Sequence, residues 1–253
     1  MSEVESSRVV PASELKVAGI TPFTSIDFPG RLSAVVFVQG CPCQCVYCQN
    51  NWMQPRAFDP RFEHSDWASV EALLRRRHGL LDGVVFSGGE PTIDPALPEA
   101  IRTVKAMGYA IGLHTSGVYP ERLASILPDL TWVGLDVKGP PTDVAAFEGI
   151  TQMAKSQALF LKSFALLHEA EVAGALAVEY RTTAHPDFLN ETQLEVLAAW
   201  LAENGVDHWV LQIYRRPRGL LTQTFDSVLD TWPSAPFCER QHARFKSFQI
   251  RRL

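Results

Sequence analysis

This chain of 253 residues holds no apolar run near the length that a membrane span needs. It has no strong charge of either sign. Charged residues make up 20% of it and the net charge is −5 at pH 7. The one knot of arginines, Arg75-Arg76-Arg77, reads as a solvated helix end, not as a nucleic-acid stripe. The first residues, MSEVESSRVV, do not read as a secretory signal peptide. There is no internal repeat and no low-complexity linker. These absences predict a cytoplasmic protein without a membrane or nucleic-acid partner. Cysteine is also scarce: there are five, and four of them fall between Cys41 and Cys48. Where thiols stay reduced, such a group reads as metal-binding or catalytic, not as disulfides. Cys238 stands alone and reads as a small apolar side chain.

What the chain does have is the stretch Gly40 to Asn50, GCPCQCVYCQN. Cys41, Cys45 and Cys48 form a C-x3-C-x2-C triad, with Cys43 as an extra thiol. The stretch follows the apolar run Ala34 to Val38, and Gly40 lets the chain turn there. Clustered thiolates select soft metal centres. A cubane iron–sulfur cluster normally takes four thiolates, so a triad leaves one position open. For zinc, an open position separates catalytic from structural sites. On these residues alone two centres stand open: an iron–sulfur cluster, or a zinc knuckle completed by a distant His or by Cys43 in a non-enzymatic protein. Beyond the triad only Cys43 and Cys238 remain, too few for a second all-cysteine cubane.

Six strand-then-helix units follow in order. Strands are expected at 33–39, 83–87, 109–114, 132–138, within 171–183 and, as the last, at 209–214. Ser65 is expected to cap the first helix and Asp94 the second, with Pro95 in its first turn. Asn190 with Gln193 forms a capping box. This order argues for a parallel α/β sheet with helical crossovers. Six units are fewer than the eight of a closed barrel. The chain divides into residues 1–32, a segment with a loose polar start and short strands, a core at 33–217, and an extension at 218–253. Residues 51–64 are irregular and suited to covering the cysteine stretch.

The remaining motifs fall at strand C-terminal ends, where sites in parallel sheets lie. Ser87-Gly-Gly-Glu-Pro91 offers paired glycines for close backbone approach and a carboxylate, Glu90, for an ammonium group. Its plain alternative is a glycine turn. His114-Thr115-Ser116-Gly117 brings hydroxyls. Asp136-Val-Lys138 is either a rim ion pair or a ligand-binding charge pair. Arg181 neutralises a ligand carboxylate or caps a rim acid. Gln212 and Tyr214 line a pocket or serve the core, and His185 before Pro186 reads as a turn residue.

The triad followed by Gly88-Gly89-Glu90-Pro91 resembles the signature of radical S-adenosylmethionine (SAM) enzymes. The resemblance implies a partial, open (β/α)6 TIM-like barrel. It implies a [4Fe-4S] cluster on Cys41, Cys45 and Cys48, and SAM as the second cofactor. SAM would chelate the fourth iron, with Tyr47 near its adenine and Gly88 to Pro91 at its amino group. Thr115, Ser116, Asp136, Lys138, Arg181 and Gln212 would complete its site. Thr24 to Gly30 with Val36 to Cys41 is similar to the subgroup of anaerobic ribonucleoside-triphosphate reductase activating proteins. Asp136-x-Lys138 resembles the activases of glycyl-radical enzymes. The implied partners are a glycyl-radical enzyme and an external one-electron donor such as flavodoxin. Departures are Gln49, where that subgroup often has His, the extra Cys43, and His114, where related activases place an acid that helps bind a monovalent cation. A small-molecule enzyme resembling 7-carboxy-7-deazaguanine synthase is the alternative.

Overall fold

A computed structural model of the chain describes residues 9–215 and 226–252. The polar start at 1–8 lies outside them, as do 218–225 of the extension. Residues 12–14 form a short 3-10 helix, and Leu15 after it is buried.

Eight strands form one sheet in chain order. β1 (Val17–Thr24) runs antiparallel to β2 (Ser33–Val38). The remaining strands are parallel: β3 (Gly83–Gly88), β4 (Ala110–Thr115), β5 (Trp132–Asp136), β6 (Ala177–Ala184), β7 (His208–Ile213) and β8 (Ser247–Arg252). The sheet does not close on itself. It is the partial TIM-like barrel that the resemblance implies, on the parallel sheet that the β/α order predicts. The helices are α1 (Trp67–Arg77), α2 (Leu97–Ala106), α3 (Pro120–Ile126), α4 (Val144–Thr151), α5 (Ser156–Val172), α6 (Glu191–Glu203), α7 (Asp226–Leu229) and α8 (Ala235–Arg244). No described helix is long and apolar enough to cross a membrane.

Alternation along the strands separates two cores. Val36, Val38, Val84 and Phe86 pack with the buried stripe Val70, Leu74, Ile101 and Val104 of the helices. Val35 and Val85 point the other way and meet Phe28 and Trp132 in a small separate cluster. Phe28 lies in the β1–β2 hairpin and stacks on Trp132, with centroids 5.5 Å apart. A Cβ on Gly83 would come within 2.8 Å of its ring, and one on Gly112 within 3.3 Å. Two bare positions on β3 and β4 thus seat one aromatic ring.

Local signals hold with small shifts. Asp66, not Ser65, caps α1 by accepting from Ser69 N, and Ser65 N donates to Val17 O. Asp94 accepts from Ala96 N, but the helix starts later, at Leu97, so its first-turn proline is Pro98 and not Pro95. The Asn190–Gln193 capping box forms. The expectation that 209–214 is the last strand is corrected by β8, which pairs with β7 along its whole length. The segment SFQIRR carries no apolar run to announce a strand. Only Phe248 is buried in it, and Arg251 is stabilised by an ion pair to Glu179 on β6.

Candidate active site

The C-terminal ends of the strands surround a cavity of about 270 Å³. Its wall includes Cys41, Cys43 and Cys45 after β2, and Ser87 to Gly89 at the end of β3. His114 to Ser116 follow from β4, Asp136 and Lys138 from β5, Arg181 from β6 and Gln212 from β7. Cys48 instead lines the adjoining groove with Tyr47, Thr183 and Tyr214; Gly88 and Gln212 belong to both.

The cysteine loop is held from two sides. Gly40 sits at φ +108° and donates to Met53 O, and Cys41 N donates to Gln54 O. The Gln39 amide reaches Trp52 O and Pro55 O. Residues 51–57 therefore fold back onto the loop, pinned by backbone groups. On the far side, Gln44 N and Val46 N donate to Thr151 O and Ile150 O at the end of α4, at 2.9 and 3.0 Å. Cys43 is buried, whereas Cys41, Cys45 and Cys48 are half-buried. A hydrogen bond from Cys43 brings the Cys45 thiol down to about 6, while bonds to Cys41 and Cys45, and then burial, push the Cys43 thiol up. Burial raises Cys48.

The paired glycines have a packing reason of their own. A Cβ on Gly88, at φ +113°, would lie 2.4 Å from Val38 N. One on Gly89 would lie 2.2 Å from Gly40 O. The end of β3 thus presses bare backbone against the start of the cysteine loop. Glu90 is turned into the fold. It is fully buried, and its carboxylate accepts from Thr92 N and Oγ1, Thr115 Oγ1, and Ser116 N and Oγ. Both oxygens are engaged within the fold, so neither Glu90 nor the buried Pro91 forms part of the cavity wall. Thr115 and Ser116 do line it, with their hydroxyl protons turned back toward Glu90.

Asp136, Lys138 and Arg181 form one ionic knot. Lys138 Nζ lies 3.0 Å from Asp136 Oδ2, and Arg181 Nε and Nη2 lie 3.0 and 2.8 Å from Oδ1. Desolvation alone would raise the Asp136 carboxyl, but Arg181 and Lys138 outweigh it and hold it well below the carboxylate range. Desolvation opposes the Lys138 charge likewise, and Asp136 overcomes it to raise the ammonium. Of the two roles expected for Arg181, the structure shows the capping of a rim acid. Lys138 Nζ sits 5.4 Å from the ring centroid of Tyr47, which stacks on Phe188. Tyr47 Oη is buried without a hydrogen-bond partner among the described residues.

His114 donates from Nε2 to Asp27 O and takes the Ser87 hydroxyl on Nδ1, both at 3.1 Å; the tautomer follows from the carbonyl acceptor. Burial and then Arg181 depress it to about 3, so the ring is neutral. It ties β4 to the hairpin that carries Phe28. Asp27 itself lines the cavity, a placement that sequence reasoning missed. Its motif, Thr24 to Gly30, was legible, but only Phe28 buried against β3 and β4 brings it inside. His185 is a turn residue as expected, accepting from Asp187 N on Nδ1.

Among the described residues no three Cys, His, Asp or Glu side chains converge tightly enough to hold one ion. The fit to a cluster with SAM stands on donor chemistry. Soft thiols open on one cavity beside a bare glycine backbone and a knot of two cations on one carboxylate, with the buried Tyr47 hydroxyl at the adjoining groove.

Residues 35–200 match the family described as the Radical SAM superfamily. A protein of Methanocaldococcus jannaschii named as a glycyl-radical enzyme activating enzyme is 30% identical over 193 residues, 72% of this chain and 73% of the relative. A 7-carboxy-7-deazaguanine synthase of Thermococcus kodakarensis is 28% identical over 126 residues, 43% of this chain and 50% of that one. SuiB of Streptococcus suis, solved bound to S-adenosylmethionine, superposes with a TM-score of 0.61 at 13% identity, over 85% of this chain and 48% of SuiB. At that identity the likeness carries the fold alone.

Proposed function

Because this chain belongs to the radical SAM superfamily, we propose that it installs a glycyl radical on a partner enzyme of the anaerobic ribonucleotide reductase type. Its cofactors are a [4Fe-4S] cluster and SAM. Together, when bound, they supply reductive cleavage of the sulfonium to methionine and a 5′-deoxyadenosyl radical. The activase reading is supported by the relative that shares 30% identity across 72% of this chain. An external one-electron donor such as flavodoxin, and a cytoplasmic setting, belong to the same proposal.

The chain's own residues hold, orient and shield. Cys41, Cys45 and Cys48 hold the cluster. Gly88 and Gly89 let the end of β3 close on the cysteine loop and present backbone to SAM. Glu90 acts through Thr115 and Ser116, fixing both at the wall. The Asp136–Lys138–Arg181 knot, two cations on one carboxylate, offers a lysine and a carboxylate for the methionine and ribose ends of SAM. Tyr47, Gln212 and Tyr214 edge the groove suited to the adenine. Residues 51–57, bound to the loop by backbone bonds, shield its outer side from water.

The test is anaerobic reconstitution with iron and sulfide, reduction with SAM present, and incubation with an anaerobic ribonucleotide reductase. Formation of 5′-deoxyadenosine and of a glycyl-radical EPR signal on the reductase, both lost in Cys45→Ala, is the expected result. SAM cleavage without any protein radical, with a purine-like molecule retained in the barrel mouth, would replace it with the second reading, a small-molecule enzyme. The likeness to the deazaguanine synthase favours that reading.

A further inference from the structure

The family's triad accounts for three of the four thiols in the loop and leaves Cys43 without a role. The structure does not leave it on the surface. Cys43 is 1% exposed and lines the same cavity as Cys41, Cys45, Gly88 and Gly89. It stands two residues from Cys41 and two from Cys45 in the loop. The thiol donates to Met153 Sδ at 3.8 Å. The backbone on either side is tied to α4 through Gln44 N and Val46 N. A buried, anchored thiol among soft donors is placed as a ligand.

We propose that Cys43 is a fourth thiolate of the cluster, held on the iron that SAM chelates and displaced when SAM arrives. The cluster then rests with the four-thiolate shell usual for a cubane. The exchange breaks one iron–sulfur bond and forms bonds to the amino nitrogen and carboxylate oxygen of SAM. The amino proton passes to the freed thiolate, and no electron moves. Because Cys43 lies between two ligands on one short loop, it returns to the iron at high effective concentration once SAM leaves. The proposal rests on family membership and not on the identity of the hydrogen donor.

The test compares the reconstituted wild type with Cys43→Ala and Cys43→Ser, without and with SAM. Iron and sulfide are counted first. Each protein is then oxidised with ferricyanide, and the [3Fe-4S] EPR signal is read. Loss of the unprotected iron is expected to give at least about fivefold more of that signal in Cys43→Ala than in the wild type without SAM. With SAM bound the difference should vanish. Equal signals in both proteins without SAM would overturn the proposal. Should the variants load no cluster, Mössbauer spectra of the wild type decide. Four sulfur-coordinated irons before SAM, and one distinct iron after it, are expected. One iron already distinct before SAM would overturn it. A wild type that takes up no cluster would sink the family reading instead, which keeps the two failures apart.

Discussion

Glu90 shows how one side chain serves a site without touching it. Its carboxylate collects three hydroxyls and two amides from the ends of β3 and β4. Replacing it with alanine strands those donors in a dry interior. We expect Glu90→Ala to cost about 3 kcal/mol or more in urea unfolding, since bonds to charged groups and their orphaned partners are expensive. Glu90→Gln, which keeps the volume, should cost less. His114 makes a second prediction at this scale. Its folded pKa of about 3 lies below the ordinary value of 6.5, so folding favours the neutral ring. That contribution is complete above about pH 6.5 and is lost as pH falls from 6.5 toward 3, at a slope approaching ~1.4 kcal/mol per pH unit. Thermal unfolding of the wild type and of His114→Gln across that range should show a flatter dependence in the variant. Parallel slopes would mean that the ring is not shielded.

At the scale of elements, the contact between the end of β3 and the cysteine loop is the tightest constraint in the site. Gly89→Ala forces a methyl onto the backbone oxygen of Gly40, which cannot swing away as a side chain would. We expect about 1–3 kcal/mol of destabilisation and a substoichiometric iron content after reconstitution. Gly149→Ala is the control. It lies in α4 with nothing within 4 Å, and should gain roughly 0.5–1 kcal/mol from helix propensity. The sequence made this region legible because spacing survives without coordinates: the cysteine triad, the glycine pair, the strands before them and the capping box all stand in the order of the letters. It could not reveal that Glu90 turns inward, because a carboxylate's partners come from β4, some 25 residues away. Nor could it reveal β8, whose polar face is stabilised by Glu179 and not by apolar contacts.

For the whole molecule, the hairpin ring of Phe28 decides the inner face of the barrel. With Val35, Val85 and Trp132 it forms the small core beneath the cavity, and it carries Asp27 to the wall. Phe28→Ala should cost about 3–5 kcal/mol in denaturant unfolding, as large aromatic deletions from a core do. It should also weaken SAM binding, measured by equilibrium dialysis, because the hairpin loses its anchor. Unchanged affinity in a folded variant would separate the hairpin from the site. The strand order β1 through β8 runs without a single inversion. A chain leaving the ribosome can therefore add each strand to a neighbour that has already emerged, and none must be threaded between two others. The cysteine loop and the glycine pair emerge within the first hundred residues, long before β8. Iron delivery to the loop need not wait for translation to finish.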